Sequence, residues 1–161
     1  MIYVTGDAHR DFQRIIHFCE KHRTTKDDIM IILGDAGINY YQDRSDKLVK
    51  RMLSKIPITL FCIHGNHECR PTKDMGYEEN LFHGGIAYSQ YQYPNILFAK
   101  DGEVYDFAGN KCVVCGGAYS VDKYYRIKYG INWFSDEMPS STIKENVANM
   151  LSALDNTVDI F

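Results

Sequence analysis

Five residues in the first half of the chain could do chemistry together: Asp7, His9, Asp35, Asn66 and His67. They sit in three short motifs, Gly6-Asp7-Ala8-His9, Gly34-Asp35 and Gly65-Asn66-His67-Glu68. Carboxylate oxygen, amide oxygen and imidazole nitrogen form a donor set suited to Mn²⁺, Fe or Zn²⁺ rather than to a thiolate-seeking ion. One carboxylate can bridge two cations through its two oxygens. Two such ions about 3.5–4 Å apart can clamp an in-line displacement at phosphorus. Taken singly, each residue has a plain reading, since Asp and Asn commonly stabilise turns. The joint pattern carries the metal reading.

Something must bring the motifs together. The first follows Ile2-Tyr3-Val4, the second Ile29 to Leu33, and the third Ile58 to Ile63. These runs are short, apolar and β-branched or aromatic, and each is closed by a glycine, as buried strands are. Asp35 lies 28 residues after Asp7, and Asn66 lies 31 after Asp35. That interval suits a strand–helix–strand unit of roughly 30 residues. Consecutive units of this kind give parallel strands, so all three motifs should emerge at one carboxyl edge, where open α/β sheets build their sites.

At this point the chain resembles the calcineurin-like metallophosphoesterases, whose signature is D-x-H, then G-D, then G-N-H-[ED], each at a strand end. The likeness covers residues 1 to about 68 by motif. A looser one, to bacterial and phage members, runs from Gly116-Gly117-Ala118-Tyr119-Ser120 to Asp136-Glu137. It implies an α/β fold of layered β sheets flanked by helices and a single domain over residues 1–161. It also implies a metal-dependent phosphoesterase with a binuclear centre, in which a metal-bound hydroxide attacks a phosphate ester. Two divalent ions are implied, Mn²⁺ first, with Fe or Zn²⁺ as alternatives. Asp7 and His9 correspond to ligands of the first metal, Asp35 to the bridge, Asn66 to a ligand of the second, and His67 to the general acid. Imidazole suits that last role near neutral pH.

Several departures qualify the likeness. Arg10 stands where the family often has glycine, and either adds positive potential for a phosphate or points to solvent. The second motif reads Gly34-Asp35-Ala36-Gly37-Ile38, without the frequent second carboxylate. The family's later histidine motifs have no counterpart, because the last histidine is His83. The expectation is therefore an amino-terminal portion, incomplete at the carboxy terminus, that has little activity alone and either self-associates through apolar surface left uncovered or packs its terminus non-natively. Thr157 to Phe161 reads as the start of a strand.

Composition sets broader bounds. Apolar residues make up 45% and charged ones 24% of the 161, ordinary for a folded domain with a real core. A net charge of −3 gives no electrostatic case for nucleic acid or an anionic membrane. No apolar run approaches a membrane span of about 18 residues. Five cysteines, an odd number, give no disulfide framework, so a reducing cytoplasm is the simple expectation. Cys112-Val113-Val114-Cys115 resembles a metal pair, but in a strand i and i+3 face opposite sides, so core packing is expected.

Helical spacing appears at Phe12, Ile15, Ile16 and Cys19 with Asp11 as cap, and at Val49, Met52, Leu53 and Ile56. It recurs at Ile143, Val147, Met150, Leu151 and Leu154 behind a Thr142/Glu145 capping box. The run Asp43 to Lys47 reads as a solvated helix start. Gly109-Asn110 predicts a tight hairpin turn. Glu68 reads as a structural partner rather than a ligand, His17 and His22 as surface residues, His64 as either structural or substrate-facing, and His83 as a loop residue. Tyr124-Tyr125-Arg126 to Tyr129, with Asn132-Trp133-Phe134, reads either as a substrate-facing wall with Arg126 gripping phosphate or as packing of a surface excursion. A non-catalytic interaction scaffold is the alternative function. A nucleotide-binding domain ranks last, since no G-x-G-x-x-G or G-x-x-x-x-G-K-[ST] occurs.

Overall fold

The computed structural model describes residues 1–161. The three apolar runs are strands: β1 (Ile2–Thr5), β2 (Ile29–Ile32) and β3 (Thr59–Cys62). They pair in parallel, with Ile2 beside Ile29 and Ile29 beside Thr59. The connections are helices α1 (Gln13–His22) and α2 (Arg44–Leu53), giving the anticipated pair of βαβ units. The chain then forms β4 (Glu78–Phe82), β5 (Gly85–Gln90) and β6 (Tyr93–Ala99). Strand β6 joins β3 in parallel, while β5 and β4 add antiparallel, so one mixed sheet runs β1-β2-β3-β6-β5-β4. A hairpin of β7 (Val104–Phe107) and β8 (Asn110–Val113) forms a second, two-stranded sheet, and α3 (Lys123–Tyr129) and α4 (Ser141–Ala153) follow.

The central strands are apolar on both faces, as parallel strands covered on two sides must be. One face carries Met30, Ile32, Leu60 and Cys62 and packs with Phe12, Ile15 and Cys19 around α1, and with Leu53 of α2. The other carries Ile29, Phe61 and Leu97 and packs beneath Tyr105 and Phe107 of β7. Phe61 meets Tyr105 and Phe107 edge-on at 4.9 and 5.3 Å between ring centroids. Beside this contact lies an apolar cleft of about 500 Å³ between the sheet (Val4, Ile31, Ile63) and the hairpin (Phe107, Cys112, Val114). Residues 158–160 begin to pair here as expected: Val113 N–H donates to the Ile160 carbonyl at 3.0 Å.

Local boundaries differ from expectation for identifiable reasons. The hairpin turn is Ala108-Gly109, both with left-handed φ (58° and 86°), and Asn110 already belongs to β8. A two-residue turn matching the strand twist needs positive φ at both positions, and the Asp106 carboxylate secures it by accepting from Gly109 N–H at 2.7 Å. Helix α4 is capped by Ser140, whose hydroxyl accepts from Ile143 N–H at 3.2 Å, not by Thr142. Asp11 lies one residue outside the cap of α1, yet accepts from Gln13 N–H. The start of α2 is not wholly solvated, because Asp46 is buried and accepts from the backbone N–H groups of Tyr41 and Gln42. Cys112 enters the core as expected, whereas Cys115 is exposed. Strand β4 and helix α3 carried no readable periodic signal, since Glu78-Glu79-Asn80 is exposed and α3 has only seven residues. No helix is long and apolar enough to cross a membrane.

Candidate metal centre

The three motifs meet at the carboxyl edge of the sheet. They are laced there by backbone bonds: the Asp35 carbonyl accepts from Ala8 and His9 N–H at 3.1 and 2.8 Å, and the Ala36 carbonyl from Arg10 N–H. His9, Arg10 and Asp35 all have left-handed φ, at 45°, 68° and 46°. Such conformations in non-glycine residues are uncommon, and they cluster where a site over-determines the backbone. Here they aim the side chains of His9 and Asp35 at each other.

One ligand atom from each of His9, Asp35 and His67 lies within 4.8 Å of the others. His9 Nε2 stands 3.5 Å from Asp7 Oδ2 and 3.9 Å from Asp35 Oδ2, and the His9 and His67 rings meet edge-on at 4.7 Å. Asp35 is buried, and its Oδ1 accepts from His67 N–H at 2.9 Å. Gly65 makes this possible, because a Cβ there would fall 2.0 Å from Asp35 Oδ1. Asn66 lines the same groove as Asp7 and Asp35, a space of about 320 Å³. The nitrogen and carboxylate atoms converge at separations too long for ordinary hydrogen bonds yet short enough to share a cation. His9, Asp35 and His67 thus form a group whose ligand atoms could hold a divalent metal, with Asp7 and Asn66 beside it.

Neighbouring groups set the character of the site. Burial holds His67 below the usual histidine range; Arg126 and His9 act in the same sense against the opposing pull of Asp35. Arg126 is buried, its Nη2 lies 3.0 Å from His67 Nε2, and its Nε donates to both oxygens of Asp122 at 2.9 Å. Tyr40 lies roughly parallel to the His67 ring at 6.4 Å, and Asn132 of the following loop donates to the Tyr40 carbonyl. The aromatic stretch thus reaches the site through Arg126, while Tyr124, Tyr125 and Tyr129 face solvent.

Arg10 is otherwise engaged. Its Nη1 donates to Asp46 at 2.5 Å and to the Gly37 carbonyl at 2.9 Å, and its guanidinium lies over the Tyr41 ring. With its charge matched by Asp46, it ties the first two loops to the start of α2. Glu68 is fully buried, and its two oxygens accept from Ala36 and Ile38 N–H at 3.1 Å, bracing the second motif's loop. Burial pushes its pKa up to about 8. His64 is buried with neither ring nitrogen partnered, and burial aided by Arg70 pushes its pKa down to about 4.

Other supports fall outside the three motifs, several of them in the looser likeness from Gly116 to Glu137. Arg70 bonds to Asp136, to Asp101 and to the Gly116 carbonyl, clamping two distant loops against the third motif. Gly117, at φ 118°, passes so close that a Cβ would lie 2.5 Å from the Glu137 carbonyl. Ser120, Trp133 and Glu137 complete the wall behind Asn66. Their signal is spatial: Ser120 lies 54 residues from Asn66 in the chain.

Comparison with known proteins agrees with this geometry. The family model for calcineurin-like phosphoesterases matches residues 1–159. No curated protein and no solved structure gave a significant match. The match extends well past the third motif, through the hairpin and the Arg126 segment, and on to α4. With nearly the whole chain matched and the three motifs gathered at one sheet edge, the chain belongs to the calcineurin-like phosphoesterase family.

Proposed function

We propose that the protein hydrolyses phosphate esters at a binuclear divalent metal centre, with Mn²⁺ the first candidate ion. Asp7, His9 and Asp35 would hold one ion, and Asp35 with Asn66 the other. The observation that carries this reading is the gathering of His9, Asp35 and His67 ligand atoms within 4.8 Å at the ends of adjacent parallel strands. Two divalent ions in such a cage supply charge stabilisation at phosphorus and a nucleophile at neutral pH.

The chain's own groups do the rest. His67, at the edge of the cluster, protonates the leaving oxygen. Arg126, whose Nη2 lies 3.0 Å from His67 Nε2, would hold a phosphoryl oxygen beside it, a task that guanidinium N–H donors suit. Asp122 holds Arg126 in place from the far side.

The test combines calorimetry with turnover. Mn²⁺ titrated into the metal-stripped chain should bind, and hydrolysis of p-nitrophenyl phosphate should follow the occupancy. Asp35→Ala should abolish both. Tight Mn²⁺ binding with no turnover on mono- or diesters would instead favour an interaction scaffold.

A further inference from the structure

The side-chain amide of Asn66 has two nearly isosteric ends, and only one of them can ligate a cation. Its oxygen has lone pairs, whereas its NH₂ presents protons. Something must decide which end faces the groove. The structure contains a chain of hydrogen bonds that decides it by counting protons.

The count starts at Glu137, which is buried. Its Oε2 accepts from the indole Nε1–H of Trp133 at 2.8 Å and from the backbone N–H of Ser120 at 3.3 Å. Neither group can act in any other way, since indole and amide nitrogens only donate. As a carboxylate oxygen, with no proton to give, Oε2 only accepts. The Ser120 hydroxyl, 2.5 Å away, must therefore give it its single proton. With that proton used, Ser120 Oγ can only accept from Asn66. The atom of Asn66 facing it at 2.9 Å must be Nδ2, which leaves Oδ1 as the end that Ser120 does not hold. With Glu137 as a carboxylate, no other rotamer or amide assignment satisfies all four bonds.

We infer that Ser120, its proton fixed by Glu137 and Trp133, is the positioning residue that sets the Asn66 amide with its oxygen toward the metal groove. This rests on the reading of Asn66 as a ligand. The relay supplies no electrons to the metal and touches no substrate. Its effect is to remove the flipped state, in which an NH₂ would meet a cation. Ser120 is itself buried, so water has no easy route to replace it. The arrangement also explains why Gly117 and Pro139 crowd together: the Glu137 loop is pressed onto the segment carrying Ser120.

A double-mutant cycle tests this. Ser120→Ala should weaken the second Mn²⁺ site by about 10–100-fold, the usual consequence of losing a group that orients a ligand. The first site should change less than about twofold. In an Asn66→Asp background the same Ser120→Ala change should alter Mn²⁺ affinity by less than about twofold, because the two oxygens of a carboxylate are equivalent and need no orienting. A purely structural role for Ser120 would weaken binding equally in both backgrounds, and that result would overturn the inference. A metal-free readout separates this from the proposed activity. In amide NMR spectra of the metal-free chain, one Asn66 NH₂ proton should show a hydrogen-bonded shift and slowed exchange that Ser120→Ala removes. Identical Asn66 signals in both proteins would refute the relay. If the wild type binds no Mn²⁺ while those signals behave as stated, the phosphoesterase reading fails and the orientation stands.

Discussion

The two sides of the metal groove are built by different means. Asp7, His9 and Asp35 stand in the loops just past two neighbouring parallel strands, and those loops are joined by main-chain bonds. Asn66 and His67 take their orientation from side chains far along the sequence: Ser120, 54 residues away, and Arg126, 59 away. The first side is stiff because it is an extension of the strand pairing. The second depends on a long segment closing back onto the sheet, at a loop-closure cost that only later contacts offset. One side can therefore be loosened without unfolding the molecule, and the other cannot.

The hardest blow to that distinction would come at Asp35, which belongs to both sides. Asp35→Ala should abolish measurable Mn²⁺ binding, whereas Asn66→Ala should leave one site intact in calorimetric titration. Equal losses would mean that the sides are not separable. Gly65→Ala strikes the seam between them, with a Cβ 2.3 Å from the Asp35 backbone nitrogen as well as on its carboxylate. Backbone cannot yield cheaply, so urea unfolding should show a loss of more than about 3 kcal/mol.

Effects confined to the second side should be smaller and more selective. His67→Ala should lower turnover about 10²–10⁴-fold on alkyl esters, whose leaving oxygen needs a proton. On p-nitrophenyl phosphate the loss should be far less, and matching losses on the two substrates would remove His67 from the acid role. Arg126→Ala should raise KM by about 10–100-fold, the worth of a hydrogen bond to a charged group, with Mn²⁺ affinity nearly unchanged. A large drop in affinity would tie Arg126 to the metal side instead. At the low end, Ser140→Ala should cost about 1 kcal/mol by uncapping α4, while Thr142→Ala stays within about 0.5. Reversed magnitudes would restore the capping box read from the sequence.

That same division accounts for what could be read in advance. Asp7, His9, Asp35, Asn66 and His67 were legible because local rules place them: a short apolar run, a glycine, a polar residue at a strand end. The order β1-β2-β3 followed from helical spacing between the runs. Ser120, Glu137 and Asp122 had no such rule. Each lies in a loop or at a helix end, and each matters only through a partner more than 50 residues away or through one that itself reaches back that far. Strand β4 was hidden for a different reason. As an edge strand with an exposed, polar sequence it shows no hydrophobic alternation, and only its pairing with β5 makes it a strand. Arg10 had no local rule to announce its partner either, since Asp46 is 36 residues on.

Of the five thiols, Cys19, Cys62, Cys69 and Cys112 are buried and Cys115 alone is exposed. It stands where the apolar cleft and the groove shared by Asp7 and Asn66 adjoin, so it borders both without belonging to either chemistry. Partial burial of its sulfur and the nearby Asp101 carboxylate hold its pKa above the usual thiol value. Reaction with a maleimide proceeds through the thiolate, so coupling will be slow at neutral pH and faster in mildly alkaline buffer. The chain thus offers a natural single attachment point for a fluorophore. A dye placed there would register events in the groove and in the cleft by its emission, with no engineered cysteine and none of the existing ones removed.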